Sequence, residues 1–436
     1  MTAGGDDSDG RRCQCNRTDY EREKEKSCSH WNQYTGTQFK PARTFHVLQM
    51  YYVHRLLTLV SILALATAAW WSVRLARADA AFRKRTPADV ARAIELQPEN
   101  SDYLATLALQ AEYSGQDSTA LWEEMAALTS RASAPRIRLG LAAELRGDTN
   151  QAERWLQEAF SVDRQFETRW TLANFYFRQG RADEFWTWMR SALEMSYGDR
   201  VVAFDLCWRM TNSANEILDR AIPDRREVVA WYLAYVLKQH RQAAVAGAAS
   251  KLASMRTADD LPLLYAATDA LLDAGQTREA AGVWQALGNP QPAGVMHPDF
   301  TESPIGHGFD WRIAETQGVS HQSLDAPVGL RLRFNGQQPE SCELLRQVIG
   351  GLRAGVTYIL QWEVRTQAIA SPTGLVWLIG GRTSEIAASE DWSSGKTIFT
   401  PDSDHTTLVL MYRRPEGQVR TEGTVDLKRV TTSLQE

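Results

Sequence analysis

The chain has 436 residues, which leaves room for two or three domains. Apolar residues make up 44% of it and charged residues 23%, values that allow a sizeable buried core. Its 48 basic and 53 acidic residues give a net charge of -5, which offers no electrostatic case for binding nucleic acid. The five cysteines are odd in number, and Cys207 and Cys342 are isolated in the sequence, so we expect no disulfide framework.

Residues 1–49 are polar and mixed in charge, which predicts a disordered tail. Cys13, Cys15, Cys28 and His30 could imitate a metal site. The tail has no core to hold ligands in place, so we expect no metal there. Met50 directly precedes a short basic region and an apolar segment, a pattern typical of a signal anchor. It therefore stays open whether residues 1–49 form a cytoplasmic tail or are not translated at all.

Residues 50–77 are predicted to form a signal anchor or transmembrane helix. The stretch 56–73 contains 18 residues without a charge, about the minimum for crossing a bilayer as a helix. Arginines flank it, and Trp70 and Trp71 stand where an interfacial aromatic belt belongs. A buried soluble helix, the alternative, would need a large apolar partner surface, and the neighbouring sequence is polar on both sides.

The side of the membrane on which the rest of the chain lies is left open by the sequence. The stretch 74–85 holds five basic residues and one acid, and by the positive-inside rule this would put the C-terminal part in the cytoplasm. The signal-like pattern after Met50 favours the opposite side, and the letters "ALATA" offer small residues to a signal peptidase. We expect a single-pass protein of a bacterial inner membrane with extracytoplasmic C-terminal domains.

Residues 86–289 contain a repeat built around glycine. Three segments superpose on Gly115, Gly147 and Gly180, at spacings of 32 and 33 residues, and a fourth copy centres on Gly275. In the first three, a leucine stands eight residues before the glycine and is followed by a small residue. This pattern predicts helical hairpins, because the small residue lets the second helix approach and the glycine supplies the positive φ that ends the first.

The period and the glycine and small-residue positions resemble the tetratricopeptide repeat (TPR), whose period is near 34. The resemblance covers about 200 residues and implies a curved stack whose concave face binds a protein partner. It is weak between residues 199 and 258, where the pattern predicts only two amphipathic helices, Val201–Met210 and Val228–Lys238.

An aromatic cluster in the third repeat offers a lining for such a groove. The candidate groove residues are Trp170, Tyr176, Trp186 and Trp188. Two alternatives stay open: aromatic rings at helical spacing often pack inside their own hairpin, and the stack as a whole could be a spacer.

After the linker "GNPQP" the hydrophobic period changes from 3.6 to 2. Apolar and polar residues alternate in several short runs bounded by turn residues, and a further run is apolar on both faces. The alternating runs are 329–334, 357–365, 407–414 and 423–430, and the apolar run is 374–379. Several half-buried strands within 295–432 predict an antiparallel β-sandwich.

The order of landmarks in 295–432 resembles the carbohydrate-binding modules with a galactose-binding-like jelly roll. The letters "GFDW" open the domain, "GLRAGVTYILQWEVR" resembles one of the strands of these modules, and "GTVDLKRV" resembles their closing strand. The resemblance implies a jelly-roll fold and a glycan ligand. Lys428 and Arg429 depart from it, because they stand where an Asp pair often helps to bind a structural calcium, so we assign no metal.

Sugar recognition requires exposed aromatic faces with polar groups nearby to fix orientation. The candidate ligand-binding residues are Trp311, Trp377 and Trp392, with Arg365, Arg413 and Arg414 as hydrogen-bonding neighbours. Trp362 is excluded, because the alternation of its strand points it inward. The alternative for each candidate tryptophan is a place in the sandwich core.

The sequence contains no fingerprint of a nucleophile with its base, a zinc protease, a phosphate-binding loop or a dinucleotide-binding loop. Paired glycosidase carboxylates have no fixed spacing and cannot be tested in this way. We therefore expect no enzyme activity and no cofactor.

These elements predict a multidomain protein: one transmembrane helix, an all-α TPR-like solenoid and an all-β jelly-roll sandwich. The expected function is that of a membrane-anchored scaffold of the bacterial cell envelope, in which the stack holds a protein partner and the sandwich binds glycan during assembly or export of an extracellular polysaccharide. Two alternatives remain, a cytoplasm-facing adaptor whose domains both bind protein, and a glycan-active enzyme.

Overall fold

A computed structural model describes residues 43–198 and 200–435, so the predicted tail cysteines and His30 lie outside the described residues. Within these residues fourteen α-helices are followed by ten strands. The helices are α1 Arg43–Phe82, α2 Pro87–Leu96, α3 Ser101–Tyr113, α4 Thr119–Leu128, α5 Ala134–Leu145, α6 Thr149–Val162, α7 Phe166–Arg178, α8 Ala182–Met195, α9 Val201–Met210, α10 Ala214–Arg220, α11 Arg226–Lys238, α12 Gln242–Ala253, α13 Leu261–Asp273 and α14 Thr277–Ala286. The strands are β1 Arg312–Ile313, β2 Val319–Asp325, β3 Val328–Asn335, β4 Ser341–Ile349, β5 Tyr358–Gln367, β6 Leu375–Ile379, β7 Arg382–Glu385, β8 Ser393–Phe399, β9 Thr406–Arg413 and β10 Glu422–Leu434.

The helices α1 and α2 belong to a first compact unit, which ends at Gln97. No proline or glycine interrupts α1, which starts at Arg43, before the predicted anchor, and runs through it. Its part Met50–Phe82 is long and apolar enough to cross a membrane, and the side chains of 50–73 are all exposed. Beyond that stretch α2 packs against α1, where Arg74 Nε donates a hydrogen bond of 2.6 Å to the carbonyl of Leu96.

The second compact unit, Pro98–Glu436, begins with helices that pack in consecutive pairs: α3 with α4, α5 with α6, α7 with α8, α11 with α12, and α13 with α14. The four glycines that the repeat pattern singled out all lie in the turns of such pairs. Gly115, Gly147, Gly180 and Gly275 have φ angles of 70°, 81°, 68° and 72°. The predicted hairpin turns are therefore confirmed.

The repeat pattern predicts that a small residue before each turn lets the second helix approach the first, and Gly140 has this role. A Cβ atom added there would lie 2.6 Å from Leu156 Cδ2 and 3.3 Å from the carbonyl oxygen of Ala152. Only a residue without a side chain lets α5 and α6 come this close.

A further hairpin, α11 with α12, falls in the region where the sequence pattern was weak. Its turn residue is His240, which has a φ of 53° and occupies the place that Gly180 holds between α7 and α8. The predicted helix Val201–Met210 is confirmed as α9, and α11 covers the predicted Val228–Lys238. The hairpin itself was missed because the residue with positive φ is not glycine.

The strands form two five-stranded antiparallel sheets. The first sheet has the order β1-β4-β9-β6-β7 and the second sheet the order β2-β3-β10-β5-β8. Between them lies one apolar core, to which the in-facing residues of both sheets contribute, among them Leu332, Val364, Leu410 and Val425. The five predicted strands are confirmed as β3, β5, β6, β9 and β10, and the sandwich is confirmed with them.

The segment 304–313, "PIGHGFDWRI", packs against both the helices and the sandwich. Phe309 is fully buried in the helical core, edge-on to Trp284 at 6.1 Å, whereas Trp311 is fully buried in the sandwich core. Asp269 of α13 accepts hydrogen bonds from the backbone N–H of Gly308 at 2.7 Å and from Arg312 at 2.6 Å. The segment therefore anchors one end of the sandwich to the last helical hairpin.

Candidate functional site

Two of the three candidate tryptophans, Trp311 and Trp377, lie in the sandwich core, and this corrects the prediction that they offer ring faces to a sugar. Both are fully buried. Their ring centroids are 6.3 Å apart, and Trp377 lies 6.4 Å from Trp362, so three tryptophans form a row through the core. The reason is strand alternation: Trp377 shares the inward face of β6 with Leu375.

The third candidate, Trp392, lies on the outer face of the second sheet. It directly precedes β8, and since Ser393 pairs with Val364, Trp392 comes beside Arg365 of β5. The Arg365 guanidinium carbon lies 4.9 Å from the centroid of the Trp392 ring, and Lys428 Nζ lies 5.9 Å from it. Trp392 is half-buried. The structure thus brings together two predicted residues, Trp392 and Arg365.

Arg365 is held in place by a carboxylate at the centre of the same face. Asp426 of β10 is 1% exposed and sits between Arg331 on β3 and Arg365 on β5. Arg331 donates to both carboxylate oxygens, at 2.6 and 2.8 Å, and Arg365 Nε donates at 2.7 Å. Burial alone would raise the pKa of Asp426, but the hydrogen bonds from the two arginines outweigh it and hold that pKa below its ordinary value.

A groove of about 530 Å³ opens on this outer face beside Trp392. Its polar lining comes from alternate, outward positions of β5, β8 and the second half of β10: Gln361, Glu363, Ser394, Lys396, Arg429 and Thr431. Lys428 connects the groove to the tryptophan, since its Nζ also lies 2.9 Å from Glu363 Oε2. An aromatic ring and hydrogen-bonding side chains of both signs are therefore presented on one surface.

Two small residues of β8, Ser394 and Gly395, line the groove together with Trp362. Gly395 pairs with Trp362, and a Cβ atom added at 395 would lie 2.3 Å from the Trp362 indole. The glycine lets this indole lie under the edge strand, and the neighbouring Ser394 is short on the outer side. Trp362 is 5% exposed, as its predicted inward orientation requires.

Arg413 and Arg414 lie away from Trp392, at one end of the sandwich. Both are exposed at the end of β9, and Arg414 forms an ion pair of 3.0 Å with Glu340. Arg414 lines a separate hollow of about 750 Å³ between the loops at that end, together with Pro372, Pro415 and Val419. The structure does not join these two arginines to the other candidate residues.

The predicted groove of the helical stack is corrected at two of its four residues, because Tyr176 and Trp186 are each 2% exposed and pack inside the α7–α8 hairpin. Tyr176 donates a hydrogen bond of 2.8 Å to Glu153, and burial together with this bond raises the pKa of Tyr176 to about 12. Trp188 is half-buried and packs edge-on against Phe160 at 4.6 Å. These rings stabilise the hairpins.

Trp170, the fourth candidate, is half-buried and stacks on Phe166 at 6.1 Å. It lines a hollow of about 470 Å³ with Trp208, Arg209 and Arg241. The Arg241 guanidinium lies 4.8 Å from the Trp208 ring. Trp170 thus lies in an aromatic hollow whose other residues, on α9 and beyond, the repeat pattern did not indicate.

Sequence reasoning missed most of the groove on the second sheet. The outward positions of β5 and the basic pair Lys428 and Arg429 were visible, but β8, which supplies Ser394 and Lys396, was not predicted as a strand. Its sequence "SSGKTIF" has little apolar alternation.

Within residues 43–198 and 200–435 no group of three His, Cys, Asp or Glu side chains is arranged to hold a metal ion.

No protein-family model and no curated protein matches this chain. Among solved structures, it is similar to a CBM4 carbohydrate-binding module, with 16% identity over 32% of this chain and 99% of that chain and a TM-score of 0.26. It is similar to the apo CBM1 of BiXyn10A, with 15% identity, 33% and 99% coverage and a TM-score of 0.23. It is also similar to TmCBM61 in complex with β-1,4-galactotriose, with 12% identity, 34% and 97% coverage and a TM-score of 0.23. At these values the function has to be argued from this chain's own residues.

Proposed function

We propose that the chain is a membrane-anchored, non-enzymatic binding protein whose sandwich binds polysaccharide on the outer face of the second sheet. The observation that carries the proposal is the placement of Trp392 beside the groove lined by Gln361, Glu363, Ser394, Lys396, Arg429 and Thr431. A sugar ring packs its C–H face on an aromatic ring while its hydroxyls need donors and acceptors at the side. This face offers both.

Binding without hydrolysis is favoured by the state of the two carboxylates nearest to Trp392 on this face, Asp426 and Glu363. A glycosidase needs one carboxylic acid whose pKa is raised, so that it can protonate the leaving group. Asp426 has a lowered pKa and is occupied by two arginines, and Glu363 is paired with Lys428. Asp426 is therefore not suited to donate a proton as a general acid, and Glu363 is already engaged by Lys428.

In this proposal the helical parts anchor the chain in the membrane and bind a protein partner. The exposed apolar stretch 56–73 would anchor the chain as a single membrane-spanning helix, which at 1.5 Å per residue is about 27 Å long, close to the thickness of a bilayer core. The TPR-like hairpins would hold a protein partner, with the hollow around Trp170 as the candidate contact. This combination suits a scaffold of the bacterial cell envelope that acts in assembly or export of an extracellular polysaccharide.

The test is a glycan array probed with the full chain in detergent. Trp392→Ala should weaken binding to any polysaccharide that the wild type retains by about tenfold or more, since it removes the stacking surface. Trp231→Ala is the matched control, because Trp231 is also partly exposed beneath an arginine, Arg200 at 5.2 Å, but lies on α11. Binding to no polysaccharide, or equal binding by Trp392→Ala, would contradict the proposal.

A cytoplasm-facing adaptor is the second candidate, and it is favoured by the five basic residues in 74–85. Both domains would then bind protein, and the hollow around Trp170 would be the main contact. Co-purification of a cytosolic protein that depends on Trp170, together with the absence of glycan binding, is the result expected of that function.

A further inference from the structure

We infer that the polysaccharide bound by the second sheet is acidic, with carboxylate or sulfate groups on its sugars. The inference rests on the proposed glycan binding and adds the chemical class of the ligand. Two observations support it. The face is positively charged although the chain as a whole is negative, and some of its positive side chains have no ion-pair partner.

The outer face of the second sheet is basic, although the whole chain has a net charge of -5. Its strands place six basic side chains outward and three acidic ones. The basic residues are Arg331, Arg333, Arg365, Lys396, Lys428 and Arg429, and the acidic residues are Glu363, Glu422 and Asp426. A local excess of one sign on a protein of the opposite overall sign attracts ligands selectively to that face.

Two of these six basic side chains have no ion-pair partner in the described part of the chain. Asp426 forms ion pairs with Arg331 and Arg365, and Glu363 forms an ion pair with Lys428. In contrast, Lys396 and Arg333 form no ion pair with any residue of the described part of the chain. Lys396 is exposed, so an anionic ligand group would reach it without breaking an existing pair.

The position of Lys396 makes this charge part of the groove rather than a remote surface charge. Lys396 lies opposite Gln361 on β5, and Gln361 lies opposite Thr431 on β10. Arg429 lines the other side of the same groove, two strands away, which at the usual strand spacing is about 10 Å. Its partner there is Asp299, and both side chains are about half exposed, so that pair is weak and solvent-screened.

A chain of sugars lying in this groove would therefore pass between two cations, with Trp392 at one end. Arginine and lysine bind carboxylate and sulfate through charge-assisted hydrogen bonds, which are stronger than the bonds that neutral hydroxyls make. A neutral polysaccharide would leave Lys396 without a partner and would gain only the stacking and the hydroxyl contacts. The geometry thus favours acidic over neutral glycans.

The experiment is isothermal titration of the full chain in detergent with three probes: polygalacturonate, sulfated dextran and unmodified dextran. We expect polygalacturonate or sulfated dextran, or both, to bind at least about tenfold more tightly than dextran, with an affinity that falls as salt is raised. Which of the two binds more tightly distinguishes carboxylate from sulfate recognition. Lys396→Glu should weaken the binding of the acidic probe by about tenfold or more, and Lys396→Gln by less.

Arg382→Glu is the matched control, since Arg382 is an exposed basic residue on β7, an edge strand of the other sheet. Equal loss in Arg382→Glu and Lys396→Glu would show attraction to overall charge and would overturn the inference. So would displacement of the acidic probe by polyphosphate at equal concentration of charge, because a carbohydrate site must distinguish the two. Binding of dextran as tight as that of the acidic probes, lost in Trp392→Ala, would overturn the inference but leave the proposed function intact; binding of no polysaccharide would overturn both.

Discussion

Asp426 is the residue on which the order of the outer face depends. It is nearly fully buried, yet it is a charged residue on the side of the sheet that points away from the core. Its environment makes this possible, because arginines on both neighbouring strands donate to it and replace the water that it loses. One consequence is that Arg365 is fixed in the position where it packs against Trp392.

We predict that Asp426→Asn lowers the free energy of unfolding by about 2 kcal/mol at neutral pH, since hydrogen bonds to a charged group are lost. The folded-state pKa of Asp426 is below the ordinary value of 3.8, so its contribution is present above that pH and is lost as the pH falls through the lower folded-state pKa. Urea unfolding of both proteins at several pH values measures this. The difference between them should shrink on acidification below about pH 4, and a difference that grows instead would contradict the assignment.

At the predicted sugar site, the neighbouring sequence predicts which way a strand residue points but not whether its ring is exposed. The alternation in 357–365 correctly placed Arg365 outward and Trp362 inward. The prediction was wrong for Trp311 and Trp377 because the exposure of an aromatic ring depends on the residues that pack over it, which the local sequence does not describe. Trp311 is covered by Phe300 at 5.3 Å and by Trp377 at 6.3 Å, and Trp377 in turn packs on Trp362 of the second sheet.

At the scale of elements, the turns of the helical hairpins follow from the sequence wherever glycine occupies the position with positive φ. Around Gly115, Gly147, Gly180 and Gly275 there is open space, so these residues are required by backbone conformation and not by packing. At the α11–α12 turn, His240 adopts the same conformation. A search based on glycine cannot detect that hairpin.

We predict that Gly180→Ala lowers the free energy of unfolding by about 1 kcal/mol, the cost of a Cβ atom in the left-handed region. Gly282→Ala is the control: Gly282 is exposed within α14, has open space around it and has no positive φ. It should raise stability by about 0.5–1 kcal/mol, because alanine favours a helix over glycine. Thermal unfolding of the two variants should therefore shift in opposite directions, and shifts of the same sign would contradict this explanation.

Strand prediction succeeded for the central strands of the sandwich and failed at its edges. β3, β5, β9 and β10 bury one face, so their apolar alternation is visible. The strands that were not predicted lack a clear alternation for two different reasons. β2, β7 and β8 lie at sheet edges with largely exposed side chains, and the pairing of β4 with β9 shifts its register between Glu343 and Leu345. The candidate groove lies partly on such an edge, β8, and the sequence pattern therefore did not predict most of it.

At the scale of the whole molecule, the contact between repeats and sandwich depends on Asp269. This residue of α13 accepts from the backbone of Gly308 and from Arg312, and His307 Nδ1 lies 2.6 Å from its second oxygen. The His307 ring in turn stacks on Tyr265 at 5.7 Å. Through these contacts α13 holds His307, Gly308 and Arg312, while Trp284 of α14 packs against Phe309 of the same segment.

We predict that Asp269→Ala loosens this joint while both parts stay folded, at a cost of roughly 2 kcal/mol from the lost charge-assisted hydrogen bonds. Hydrogen exchange should become faster in residues 304–313 and stay unchanged in β5 and β10. Asp273→Ala, one turn further along the same helix at an exposed position, is the control and should leave exchange unaltered. Uniformly faster exchange throughout the sandwich would instead mean that Asp269 supports the fold of that domain.

We propose that the sandwich binds glycan outside the membrane, anchored by the helix that includes residues 56–73. Protease protection in intact bacterial spheroplasts tests this most directly, with an epitope tag after Glu436 and a cytosolic protein as the control for lysis. We predict that the tag is digested while the cytosolic control survives. Survival of the tag until the membrane is broken would place the sandwich in the cytoplasm, contradict its role in the envelope and favour the adaptor function.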